Sequence, residues 1–209
     1  MIRAGVWGLT GYEAAAGLAA GHRSDLEKLF SGRFLRSFDT LAAQMPPPLP
    51  DGGDLYASGG VFGTIWRALD ALEESARSGE LKFSASLRAG AGCRINLPDI
   101  PVRQEIVEIC ELFDENPYEA QSSGAYLVIW DEDSKDEGMY WFHMGDPSLD
   151  RYDKNDTGQE IVPIGYITCS KDRLIINGDM IRYLTPYRRQ MTDICARKKD
   201  RRSSDGKKR

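Results

Sequence analysis

Apolar residues along the chain follow two different periods, and the switch between them sets the expected architecture. Up to about residue 116 most apolar positions recur at helical spacing. Phe34, Leu35, Phe38, Leu41 and Ala42 form one stripe. Phe62, Ile65, Trp66, Leu69 and Leu72 form a second, and Val102, Ile106, Ile109, Cys110 and Phe113 a third. Thr10 with Glu13, and Ser24 with Glu27, have the spacing of capping boxes for two shorter helices, which end near Ala20 and Gly32. Asp99 and Pro101 suit the start of the third striped helix. From Gly124 onward the period shortens to two. Strands are expected at 2–8, 81–86, 93–97, 125–130, 139–144, 160–169, 173–176 and 179–184. Asn177-Gly178 joins the last pair as a two-residue hairpin. Residues 145–159 read as a loop. Thr185 and Pro186 open a final helix with an apolar face of Tyr187, Met191, Ile194 and Cys195.

The class is therefore α+β: N-terminal helices packed on a C-terminal antiparallel meander, followed by an amphipathic helix and a basic tail. Strands 125–130 and 139–144 are apolar on both faces, so they are expected in the interior of the sheet. Helices would cover one face, and more chain, a partner or a ligand the other. Four prolines in Pro46-Pro47-Pro48-Leu49-Pro50 cannot continue a helix. They place a boundary between an N-terminal segment, 1–45, and an α+β domain, 61–199, with 46–60 as linker and 200–209 as tail.

Composition narrows the class further. With 41% hydrophobic and 28% charged residues the chain is globular rather than disordered. No run of 18 apolar residues suggests a membrane span. Glu13 interrupts the early apolar stretch before Ala14-Ala15-Ala16, against a secretory leader. Cys93, Cys110, Cys169 and Cys195 lie apart, and His22 and His143 are the only histidines, so no zinc spacing exists. The expectation is a cytoplasmic chain without disulfides, metal or cofactor.

Charge is more telling than net charge. The chain carries a net −5, but residues 131–160 hold ten acids against three bases, and residues 188–209 hold ten bases against three acids. Two opposite blocks can steer association with oppositely charged partners. The first contact set is Asp131, Glu132, Asp133, Asp146, Asp150, Asp153 and Asp156, with Tyr152 as an aromatic anchor. The second is Arg188, Arg189, Arg197, Lys198 and Lys199, which suit phosphates without reading sequence, since no aromatics are interleaved after Tyr187.

Catalytic motifs are thin. Gly5-Val6-Trp7-Gly8-Leu9-Thr10-Gly11-Tyr12 follows a strand and opens a helix. It resembles the G-x-x-G-x-x-G-Y loop of semialdehyde-dehydrogenase-type Rossmann enzymes, a resemblance that implies a nucleotide pyrophosphate at a helix N-terminus. It covers about fifteen residues, and no βαβ repeat follows it. Asp153-Lys154-Asn155-Asp156-Thr157-Gly158 begins like a calcium loop, but Ile164 takes the position of its last carboxylate. His143, in Tyr140-Trp141-Phe142-His143, could act as a base beside Cys169 or an acid; a hydrogen-bonded structural histidine is the plainer reading. The leading expectation is thus a non-catalytic binding protein, of the inhibitor or immunity-protein kind, whose acidic surface grips a basic protein. The alternatives are an enzyme using Gly5–Gly11 or His143, and a nucleic-acid-associated protein using the basic tail.

Overall fold

The computed structural model describes residues 1–45, 60–79, 87–120, 122, 124–132, 138–143, 149–153 and 161–185, with backbone only for residues 44, 138, 139, 141–143 and 149–153. Eight strands of the described residues form one sheet: β1 (Ile2–Trp7), β2 (Gly92–Asn96), β3 (Tyr126–Asp131), β4 (Gly138–His143), β5 (Leu149–Asp153), β6 (Val162–Thr168), β7 (Arg173–Asn177) and β8 (Met180–Tyr183). Their spatial order is β5-β4-β3-β1-β6-β2-β7-β8. Among the described residues five α-helices accompany it: α1 (Tyr12–Gly21), α2 (Arg23–Leu29), α3 (Gly32–Asp39), α4 (Gly60–Ser78) and α5 (Gln104–Leu112). The α+β class stands.

The C-terminal strands do not form one continuous meander. β3-β4-β5 is a meander and β7-β8 a hairpin, but β1 lies between β3 and β6, and β2 between β6 and β7. β2 and β7 run parallel, so the sheet is mixed. Strand-by-strand periodicity carries no information about pairing across more than a hundred residues, which is why this arrangement escapes the sequence. β1, which precedes the proline-rich stretch, is thus hydrogen-bonded within the sheet of the later strands.

Two cores hold the layers. The larger joins the sheet to α4. Ile65, Ala68, Leu69 and Leu72 of α4 meet Ala4 and Val6 of β1, Ile95 of β2, Leu127 and Ile129 of β3, and Ile164 and Ile175. The smaller is helical: Ala15 and Ala19, Leu26, Leu35 and Phe38, Leu41, and Ile106, Ile109 and Cys110 of α5. β3 is interior, as its two apolar faces require: Leu127 and Ile129 face the α4 core, while Tyr126 and Val128 are closed over by Trp7, Trp130 and Ile161. The second face is therefore covered at this place by more chain.

Several boundaries move, each for a local reason. α1 is capped by Gly11 in the left-handed conformation (φ 74°) rather than by a Thr10–Glu13 box. Thr10 is fully buried, and its hydroxyl makes no hydrogen bond to the helix end. α2 has His22 as its N-cap residue, without a side-chain cap, so Ser24 and Glu27 lie within its turns. Gly32 opens α3 instead of closing α2: the Ser31 hydroxyl accepts from the Phe34 N–H at 3.2 Å, and serine outranks glycine as an N-cap. α5 begins after Arg103, because Leu97–Asp99 closes into a 3-10 turn of its own. The hairpin register pairs Asn177 with Met180, so its two turn residues are Gly178 and Asp179, with Gly178 at φ 58°. Glycine then supplies the positive φ at the first turn position, and Asn177 ends the strand. The expected loop 145–159 contains β5. The proline-rich stretch, the expected strand 81–86, the final helix and the basic tail lie outside the described residues.

Candidate functional site

The described part of the acidic block runs from the end of β3 to β5, toward one edge of the sheet. β3 ends in Asp131, β4 returns alongside it, and β5 closes that edge. Asp150 stands opposite Trp141 and Tyr152 opposite Met139, while Asp153 pairs with Gly138. Asp150, Tyr152 and Asp153 thus share one edge strand, which neighbours the acidic chain on both sides in sequence.

Two of the expected contact acids are engaged by the chain itself. Asp131 Oδ1 lies 3.2 Å from the N-terminal amine of Met1. Glu132 Oε1 accepts from Arg3 Nε at 2.8 Å, and the Glu132 N–H donates to the Met1 carbonyl at 3.0 Å. Pairing β1 antiparallel to β3 brings the first residues against the last residues of β3, and this register creates both contacts. Arg3 and Glu132 are 36% and 42% exposed, so water competes and such a pair is worth under about 1 kcal/mol. Asp133, Asp146 and Asp156 lie outside the described residues, as do Arg188, Arg189, Arg197, Lys198 and Lys199.

The Gly5–Gly11 segment is packed against the chain's own atoms. A Cβ on Gly5 would sit 2.6 Å from Ile161 Cγ2 and 3.0 Å from the Trp130 ring. A Cβ on Gly11 would sit 2.8 Å from the Pro117 carbonyl oxygen. The Gly11 N–H donates to the Ser122 hydroxyl at 2.7 Å, which donates in turn to the Ala120 carbonyl at 3.0 Å. Close approach is what these glycines permit, and the neighbour that approaches is protein. Thr10 Oγ1 is buried without a hydrogen-bond partner among the described residues.

His143 and Cys169 are not neighbours. β4 and β6 are separated by β3 and β1, about 14 Å at the usual strand spacing. His143 pairs with Tyr126 at the Trp7 end of β1, whereas Cys169 follows the opposite end of β6. Among the described residues no group of three or more His, Cys, Asp or Glu could hold a metal ion.

Two features escaped sequence reasoning. One is a polar clamp inside the α4 interface. Arg173 on β7 has its side chain 10% exposed; Nη2 donates to Asp70 at 2.7 Å and to Glu73 at 3.5 Å, and the guanidinium lies 4.1 Å above the Trp66 ring. The other is the opposite edge of the sheet. All four residues of β8 are exposed, with Met180, Ile181 and Tyr183 at 67%, 61% and 66%. Edge strands usually carry charge to discourage pairing, and β8 carries only Arg182. The hint in the sequence was that β7 and β8 close the run of predicted strands with a hairpin.

No family model matches this chain, and no curated protein does. Among solved structures, it is similar to a hydrogenase maturation protein HypE at 13% identity and TM-score 0.47, over 90% of this chain and 54% of that one. It is also similar to a structure of a HypE–HypF complex (16%, 0.46, 89% and 53%) and to E. coli HypE (14%, 0.46, 90% and 50%). The chain spans about half the length of these structures.

Proposed function

We propose that the chain is a non-catalytic protein-binding module of the inhibitor or immunity-protein kind, whose acidic sheet edge docks a basic protein. The observation that carries this reading is the position of β5. It is the outermost strand on its side, so among the described residues its outer backbone groups have no strand partner, and its sequence supplies Asp150, Tyr152 and Asp153. An open edge offers main-chain hydrogen bonds, and the acids around it select a cationic partner. Asp131 and Glu132, held by Met1 and Arg3, tie this corner to β1 and contribute to its shape more than to its free charge. A cytoplasmic setting belongs to the same proposal; among the described residues no helix is long and apolar enough to cross a membrane.

The test compares the wild-type chain with a variant carrying Asp150→Asn, Asp153→Asn and Asp156→Asn as immobilised bait for a lysate, at low salt and at about 0.3 M, where screening acts within a few ångströms. The expected result is a discrete set of basic proteins retained by the wild type at low salt, lost at high salt and lost with the variant. Equal capture by both baits would refute the acidic edge as the docking surface.

A further inference from the structure

Among the described residues, the sheet face opposite α4 is sealed over one half and open over the other. Over β3 and β1 it is closed: Val128 is fully buried beneath Trp7, Trp130 and Ile161. Over β2, β7 and β8 no described residue closes it, and Ile181 and Tyr183 are 61% and 66% exposed. Register places Arg94, Leu174 and Tyr183 in one cross-strand row, and Asn96, Ile176 and Ile181 in the next. Arg94 and Asn96 are exposed although β2 is flanked by strands on both sides, and Leu174 and Ile176 are half-buried. Arg94 is the only formal charge in these two rows and has no ion pair among the described residues. Asp172 borders one end, accepting the Tyr183 hydroxyl at 3.4 Å.

The other face of the same strands shows what such a surface accepts. There α4 lays its apolar stripe on the sheet and turns Asp70 and Glu73 toward Arg173 of β7. We propose that the open face of β2, β7 and β8 docks an amphipathic, acidic helix of a partner protein, with a carboxylate on Arg94 and apolar side chains on Ile181 and Tyr183. Three strands at about 4.8 Å spacing make a strip about 10 Å wide, the width of one helix. Helix-in-groove docking uses apolar anchors at i, i+3, i+4 and i+7, and the flanking acids set orientation. Charge argues against the two occupants nearest at hand. The chain's own segment 188–209 is strongly basic, like Arg94. A symmetric second copy packed face on face would offer Arg94 no carboxylate from these two rows, which hold none. This surface lies at the opposite side of the sheet from β5 and selects the opposite charge, so it is independent of the acidic edge.

The experiment uses the full chain and a fluorescein-labelled synthetic peptide: a 16-residue helix former with leucines at i, i+3, i+4 and i+7 and glutamates beside them. A second peptide has lysine in place of every glutamate. Fluorescence anisotropy is expected to show saturable binding of the glutamate peptide and none of the lysine peptide. Arg94→Glu should weaken the glutamate peptide by about tenfold or more and confer binding of the lysine peptide, the signature of a direct charge contact. Tyr183→Ser should weaken it about fivefold, since aromatic anchors dominate such contacts. Both sites are exposed or at the sheet surface, and far-UV circular dichroism checks that each variant is folded. Failure of the wild type to bind the glutamate peptide, equal binding of the two peptides, or indifference to Arg94→Glu would overturn the proposal. So would a wild-type dimer in sedimentation that Arg94→Glu dissociates, because a second copy would then occupy the face. Binding that emerges only after truncation behind Thr185 would overturn it in favour of the chain's own C-terminal segment.

Discussion

The Arg173 clamp allows a quantitative test of what fixes α4 to the sheet. Replacing Arg173 by Met keeps most of the aliphatic stem and removes the charge and all five donors. Asp70 is 57% exposed and regains water, so its loss is that of a surface pair, about 0.5–1 kcal/mol. Glu73 keeps the Ala91 N–H at 3.0 Å and Arg77 at 3.2 Å, and so is not orphaned. The stack on Trp66 at 4.1 Å, largely removed from water, adds about 1 kcal/mol. Together Arg173→Met should destabilise by about 2 kcal/mol, and Arg173→Ala by about 3, because truncating the stem also leaves a void. Equilibrium urea unfolding reads this as a lower midpoint at unchanged slope. A double-mutant cycle with Asp70→Asn isolates the pair and should return about 0.5–1 kcal/mol. The opposing effect is desolvation, which can make a methionine as good as a buried ion pair or better. An Arg173→Met variant as stable as the wild type would show that desolvation wins, and would refute the clamp as a stabilising element.

Two further outcomes follow from the packing. Gly5→Ala should cost about 1–3 kcal/mol by forcing a methyl between Ile161 and Trp130, and in that background Ile161→Ala, which removes the clashing Cγ2, should cost less than it does alone; a neutral Gly5→Ala in thermal unfolding would contradict the close approach. Burial pushes the Cys93 thiol up to about 11, against the opposing effects of the Leu174 carbonyl and Arg173, and burial with Glu115 nearby pushes Cys110 up to about 11. A raised value means protonated thiol at pH 8, so site-resolved iodoacetamide labelling should modify exposed Cys169 first and reach Cys93 and Cys110 only on unfolding, or as the pH nears 11; early labelling of Cys93 would refute its burial.

Legibility in the sequence followed the range of the interactions involved. α4, α5 and β3 declare themselves by period, since a stripe such as Phe62, Ile65, Leu69 and Leu72 has one geometry that buries it. β5 was hidden because Leu149-Asp150-Arg151-Tyr152-Asp153 alternates too weakly to separate from a polar loop, and an edge strand needs only one covered side. The caps failed where tertiary burial overrode local chemistry: Thr10 has a capping residue's identity, but Ser122 supplies the hydroxyl that serves the Gly11 N–H. The acidic edge was visible as composition. That two of its members meet Met1 and Arg3 was not, because this depends on β1 entering the sheet beside β3.

The placement of β1 has a cost in time. Its neighbours lie between 119 residues away, at Trp7 and Tyr126, and 163 away, at Arg3 and Tyr166. At roughly 5–20 residues per second of synthesis, β1 waits about 6–30 s before either neighbour exists. During that interval Ile2, Ala4 and Val6 have no ladder to join, and closing so long a loop slows the search afterwards. The ribosome-bound chain is therefore exposed to mispairing at β1 until β3 and β6 have been made.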